Sequence, residues 1–261
     1  MLTHQDFISS KLDSQIRIVG VEKVGQNLNK YIPFDIANKY AEEYARSFER
    51  RVTNDRARQE KSSKDSVLGK LVEEIIVYLL NTYFKERKLN YFVTNDKSEI
   101  QISNIVELLR IEKKNSIHKK HFDSDILIIN PNDFSKTRRV FILSAKGTTR
   151  ERIGQFLSHL FLMDQDVLNA KYGKDRYEVI FTKQNISIKY AFVTFDWATN
   201  KDFAKYTKTG KERDTVKSTE VQLILDDVKL GGGIYVLNNE ENLNGIGNFA
   251  SLVGRICDYL K

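Results

Sequence analysis

Between Ser124 and Gln155 the chain reads SDILIINPNDFSKTRRVFILSAKGTTRERIGQ, and this stretch restricts the possible folds more than any other. Asp125 opens an apolar run that ends at Asn130, the pattern of a buried strand. Pro131, Asn132 and Asp133 supply turn chemistry. A second β-branched and aromatic run follows from Arg139 to Ala145, broken by Lys146-Gly147, and a helix is predicted to open near Thr149. Two strands joined by so short a turn form a hairpin. A carboxylate at the start of one strand then lies beside a lysine at the end of the other. That juxtaposition suits phosphodiester hydrolysis, which uses a hard cation held by carboxylates and a lysine beside the attacking water. A lysine that merely caps a strand gives the same spacing.

The rest of the chain supplies layers to cover such a hairpin. The periodicity predicts helices over 35–52, 67–87, 151–170 and 247–260, and strands over 91–93, 177–182, 188–196, 221–225 and 234–237. The expected fold class is α/β, a central mixed β-sheet flanked by helices. Residues 1–33 show only short apolar pieces, and 53–65 read as a loop or an exposed helix end. In the 67–87 helix, Glu73 and Glu74 interrupt an otherwise apolar face. Gly69, one turn earlier, weakens the helix by about 1 kcal/mol, which a close backbone neighbour would explain. On the 151–170 helix, Ile153, Phe156, Leu157, Leu160 and Phe161 make the apolar stripe. Arg152, Gln155 and His159 share a polar face.

Charge and composition narrow the partners. The net charge is +7 and the pI about 9.2, which suits an anionic partner such as DNA but also a merely lysine-rich surface. The segment KKNSIHKKH, 113–121, is a candidate phosphate-contacting loop or a solvated one; 201–214 reads as a basic loop or lid. The single Cys257 excludes an internal disulfide. No apolar run approaches a membrane span, and no signal peptide opens the chain, so a cytoplasmic protein is expected. The four histidines are too scattered for a zinc signature. Gly231-Gly232-Gly233 lacks the Lys-Ser/Thr of a phosphate loop and reads as a flexible turn.

The segment after Lys146, Gly-Thr-Thr-Arg150-Glu151-Arg152-Ile-Gly-Gln155, resembles a motif of the type II restriction endonucleases that read CCGG, CCNGG or CCWGG cores. These belong to the PD-(D/E)XK superfamily. Members carry a lysine followed four residues on by an Arg-Asp/Glu-Arg cluster, often with a Gln. Several carry Gly-x-x-x-Glu on an upstream helix, here Gly69 to Glu73. By this resemblance Ser124-Asp125 stands for the PD. Ser144-Ala145-Lys146 stands for the second half-motif, with Ser144 replacing its acid. Glu73 is the displaced metal-binding carboxylate. The resemblance covers about residues 66–165.

It implies a restriction-endonuclease-like single domain over 1–261 with its catalytic core at about 66–197, Mg²⁺ bound by Asp125 and Glu73, and Lys146 acting on the water. The implied protein is a homodimer cutting double-stranded DNA at a palindrome with a CC/GG core. Arg150, Glu151, Arg152 and Gln155 would meet the DNA. Arginine donates twice to guanine and glutamate accepts from cytosine, so an Arg-Glu-Arg cluster suits such a core; a salt-bridged surface turn uses the same residues. One departure stands out. Several members place a second carboxylate on the next helix, thirteen or fourteen residues past the lysine, where this chain has His159 and Leu160. Either a second metal site is weakened, or Gln155, His159 or Asp164 serves it instead. A junction or repair nuclease with the same core, and a DNA-binding module with a degenerate site, are the competing expectations.

Overall fold

The computed structural model describes residues 2–48, 56–122, 124–133, 136–146, 152–174, 176–195, 231–237 and 246–261. The fold is mixed α/β, organised on a five-stranded sheet. Its strands are β1 (Phe92–Thr94), β4 (Ile126–Ile129), β5 (Arg138–Lys146), β7 (Ile186–Thr194) and β8 (Gly231–Val236), in that spatial order. β1, β4 and β5 form an antiparallel meander, and β7 and β8 add in parallel. The hairpin read from the sequence is the β4–β5 pair, with Ile126 opposite Leu143 and Ile129 opposite Val140.

Both faces of this sheet are covered, which is why its strands are continuous apolar runs. Ile126, Ile128, Phe141, Leu143, Ala191 and Val193 point to one core, packed by helices α1 (His4–Val19), α2 (Val21–Gln26), α4 (Phe34–Phe48) and α5 (Arg56–Glu86) and by the final helix, α10 (Phe249–Leu260). Leu127, Ile129, Val140, Ile142, Tyr190 and Phe192 point to the other. That core is closed by α6 (Ile100–Leu108), α7 (Arg152–Leu162), α8 (Gln165–Tyr172) and a small three-stranded sheet of β3 (Lys119–His121), β2 (Arg110–Lys113) and β6 (Tyr177–Val179). Two short helices, α3 (Leu28–Tyr31) and α9 (Ile180–Lys183), complete the order. No described helix is long and apolar enough to cross a membrane.

Several expectations change. Residues 4–31 are helical: Thr3 and Asp6 form a reciprocal capping box that starts α1, and Phe7, Ile8, Leu12 and Ile16 bury one face. The 67–87 helix begins earlier, at Arg56, so the polar 56–65 segment is its first part. The 151–170 helix is two helices, because Asp164 takes the N–H groups of Asp166 and Val167 on its side chain and starts α8. Residues 180–183 turn into α9 where a strand was expected. The 113–121 loop is a β-hairpin built on β2 and β3. Among the described residues nothing lies within 4 Å of a Cβ built at Gly69, so no backbone approach among them explains that glycine.

The triple glycine is not a turn. It forms the start of β8, where a Cβ on Gly232 would lie 3.0 Å from the Ala191 Cβ and from the Tyr190 carbonyl carbon. The register shifts at that point, between Tyr190 and Ala191, and Gly233 adopts φ +108. Close strand contact and a positive φ each require glycine there. The predicted strand at 221–225 and the basic 201–214 segment lie outside the described residues.

Candidate active site

The antiparallel ladder of β4 and β5 continues one residue past the named strand. The Asp125 N–H donates to the Leu143 carbonyl at 3.1 Å, which fixes the carboxylate at the lead-in to β4. β5 runs on to Lys146, which pairs with Thr194 of β7. The side chains then meet. Asp125 Oδ2 accepts from Lys146 Nζ at 2.7 Å, from the Ala145 N–H at 2.7 Å and from Ser144 Oγ at 3.4 Å. Asp125 is 9% exposed and Lys146 20%. Protein donors thus replace most of the water a carboxylate would hold, and charge assistance makes such bonds strong.

The same end of the sheet gathers most of the buried polar residues outside the apolar core. Thr94 ends β1, Ser124 precedes Asp125, Ser144 lies on β5 and Thr194 ends β7; all four are buried. The sequence marks Ser124 only as the partner of Asp125 in the PD half-motif, and it does not mark Thr94 or Thr194. The readable signal was a polar residue closing or leading into each apolar run at one end.

Helix α5 crosses this end and brings Glu73 with it. Glu73 accepts from Lys70 Nζ at 3.4 Å and is 21% exposed. Burial raises its pKa above the ordinary carboxylate value, and the negative charge of Asp125 raises it further; Lys70 and Lys146 oppose the shift. The two carboxylates therefore repel each other through a poorly hydrated space, and a cation placed between them would relieve that repulsion. Lys70 also lies within electrostatic reach of Asp96, whose exposed carboxyl is held below its ordinary value chiefly by hydrogen bonds from Ser98. Asp96 is a further acid at this end of the sheet that the sequence did not single out.

Other predicted residues are placed less completely. Arg150 and Glu151 lie outside the described residues. Arg152 and Gln155 belong to the first turns of α7, but their side chains are outside the described set. His159 is half-buried in the last turn of α7, and Leu160 beside it is fully buried in the core. Asp164, considered as a substitute metal carboxylate, is occupied as the cap of α8. Among the described residues, no three His, Cys, Asp or Glu side chains converge as a metal-binding group. A cleft of about 620 Å³ between α1, α4 and α5 is lined by His4, Tyr44, Glu74 and Asn95, and includes neither Asp125 nor Lys146.

Neither a model of any known protein family nor the sequence of any curated protein matches this chain.

Proposed function

We propose that this protein is a Mg²⁺-dependent, sequence-specific endonuclease of double-stranded DNA, of the restriction-endonuclease-like type. It would act as a homodimer on a palindromic site with a CC/GG core. The observation that carries this reading is the meeting of Lys146 with Asp125 at the polar end of a mixed sheet, with Glu73 brought to the same place by α5. A five-stranded mixed sheet flanked by helices is also the coarse architecture that the resemblance implies.

The donor set suits Mg²⁺. This cation is bound through one or two carboxylates and completed by water and substrate phosphate oxygens. Asp125 and Glu73 are two hard oxygen donors with mutually unfavourable charge. When bound, the ion would polarise the phosphoryl oxygens and lower the pKa of a water. The chain's own residues do the rest. Lys146 Nζ orients the water and steadies negative charge as it builds on the phosphate. The Ala145 N–H and Ser144 Oγ hold Asp125 in place whether or not Lys146 is bonded to it. Arg150, Glu151 and Arg152 would read bases, with Gln155 beside them.

Incubation of the protein with plasmid and Mg²⁺, followed by sequencing of the ends, tests this reading. Discrete fragments with a common end sequence support it. Cutting confined to branched DNA makes the protein a junction nuclease. Binding without cutting makes it a DNA-binding module, a reading favoured by Leu160, which packs in the core where related enzymes place a second carboxylate.

A further inference from the structure

The β2–β3 hairpin is an unusual surface for a structural ribbon. Residues 113–115 and 117–121 are all exposed, and Ile117 at the tip is 92% exposed. Five lysines and arginines against one acid, Glu112, fall between Arg110 and His121. Glu112 is already engaged, by Arg110 Nε at 2.7 Å and Lys119 Nζ at 3.8 Å. No acid among the described residues forms an ion pair with Lys113 or Lys120.

The tip is also firmly built. The Lys113 N–H donates to the His118 carbonyl at 3.2 Å, and the Lys114 N–H to the Arg176 carbonyl at 3.0 Å. Asn115 takes the left-handed conformation with φ 58, which asparagine tolerates, and Ser116 Oγ accepts from the His118 N–H at 3.2 Å. At the base, Phe122 is buried against Phe181 and its N–H donates to the Leu109 carbonyl at 2.9 Å. His121 lies four residues before Asp125, so the hairpin base stands no more than about 14 Å along the chain from the candidate active site.

Lysines on an edge strand often serve only to block pairing with other chains. That explains Lys119 and Lys120 on β3. It does not explain Lys113 on β2, which is the central strand, or an isoleucine left at the tip. A β-hairpin with basic flanks and an apolar tip fits a nucleic-acid duplex: the lysines take phosphates, and the apolar tip leaves water against the groove.

Building on the endonuclease reading, we infer that the β2–β3 hairpin grips duplex DNA beside the cleaved bond, with Lys113 and Lys120 on phosphates and Ile117 in a groove.

The test measures affinity for a duplex of random sequence against salt, in Ca²⁺, for the full chain and three variants. Each phosphate contact contributes about 0.9 to the log–log salt slope. Lys113→Ala/Lys120→Ala should therefore flatten the slope by about 1.8, so wild type should lose ~12-fold more affinity than the variant between roughly 50 and 200 mM salt. Ile117→Ser should weaken binding several-fold at an unchanged slope. Lys11→Ala/Lys30→Ala removes the same charge from α1 and α3 and should leave the slope alone. An unchanged slope for the hairpin pair, an equal flattening by the control pair, or full affinity for Ile117→Ser each overturns the inference. Plasmid cutting by wild type, scored in parallel with Mg²⁺, separates the two readings. Cutting with an unchanged hairpin slope overturns the hairpin alone; a flattened slope without cutting supports the hairpin and overturns the nuclease; no DNA binding overturns both.

Discussion

Lys146 Nζ lies 2.7 Å from Asp125 Oδ2, joining the last residue of β5 to the residue that leads into β4. Removing either member leaves a different defect. Lys146→Ala strips a charged donor from a carboxylate that is 9% exposed, which should cost about 1.5–3 kcal/mol of stability, read by urea unfolding. On the proposed function it should also slow cleavage by roughly 10²–10⁴-fold while sparing specific binding. Asp125→Asn should abolish cleavage through loss of a metal ligand. Ca²⁺ in place of Mg²⁺ should permit binding without cutting, because Ca²⁺ accepts longer and looser coordination. Near-normal plasmid cutting by either variant would remove the substituted residue from the chemistry and sink the assignment of the pair.

Glu73 sets a pH dependence. Its folded-state pKa is raised, by burial first and Asp125 second, so the folded protein holds that proton more tightly than the unfolded chain. The resulting stabilisation is complete below the unfolded value of 4.5 and is lost as pH rises through the folded value. Glu73→Gln cannot ionise. Above that window it should melt higher than wild type, and the gap should close as pH falls below 4.5. Thermal melts of both proteins across pH 3–8, without divalent ions, check this. A gap constant with pH would place Glu73 away from the charge of Asp125. The same variant should lose Mg²⁺-dependent cleavage.

Recognition and chemistry should separate at the Arg-Glu-Arg cluster. Arg150→Ala or Arg152→Ala should cost roughly 1–3 kcal/mol of discrimination at a G·C pair, and Glu151→Ala should relax preference for the paired cytosine. Competition binding with single-base-pair variants of the site reads this out. A uniform loss across all sequences, with a flatter salt slope, would instead make the two arginines phosphate contacts.

His159 stands at one of the two positions where several members of the resembled nuclease group carry a carboxylate; the other, Leu160, is in the core. On the proposed function, His159→Glu should lower the Mg²⁺ concentration needed for half-maximal cleavage, and His159→Ala should reduce the rate at saturating Mg²⁺. Superimposable Mg²⁺ titrations for wild type and both variants would show that His159 takes no part.

The hairpin of β4 and β5 was legible because Ile126–Ile129 and Val140–Leu143 are unbroken apolar runs separated by turn chemistry. Burial on both faces writes itself into sequence in that way. The pairing of Asp125 with Lys146 followed from antiparallel geometry alone. Other elements were harder to read for identifiable reasons. Asp164 sits inside a continuous helical pattern, and only its capping bonds reveal that the helix stops and restarts. The glycines of β8 resemble a turn because the need for them comes from Tyr190 and Ala191, some forty residues earlier. Thr3 and Asp6 did carry a readable capping box, and Ile8, Leu12 and Ile16 behind it keep helical spacing, so α1 was open to reading from the sequence. Glu73 was distinguishable from Glu74 only through the family resemblance. The difference between them is which one α5 turns toward Asp125, a matter of tertiary packing.

Helix α2 meets the start of α10 at Gly25. A Cβ there would lie 2.5 Å from the ring of Phe249, which is fully buried. Gly25→Ala should therefore destabilise the protein by about 1–3 kcal/mol through overpacking. At the far end of α10, the Leu260 carbonyl accepts from Asn130 and the Tyr259 hydroxyl donates to Ser187. One face of the sheet is thus sealed by α10, lying against α2, which precedes it by more than 200 residues. During synthesis on a ribosome, that core cannot close until α10 has cleared the exit tunnel. A nascent chain holding Asp125 and Lys146 carries the chemical groups without the packed layer that fixes α5 and Glu73 over them. On the proposed function, competence to cut DNA then arrives only once α10 has been made and packed, and a copy terminated before α10 is born harmless.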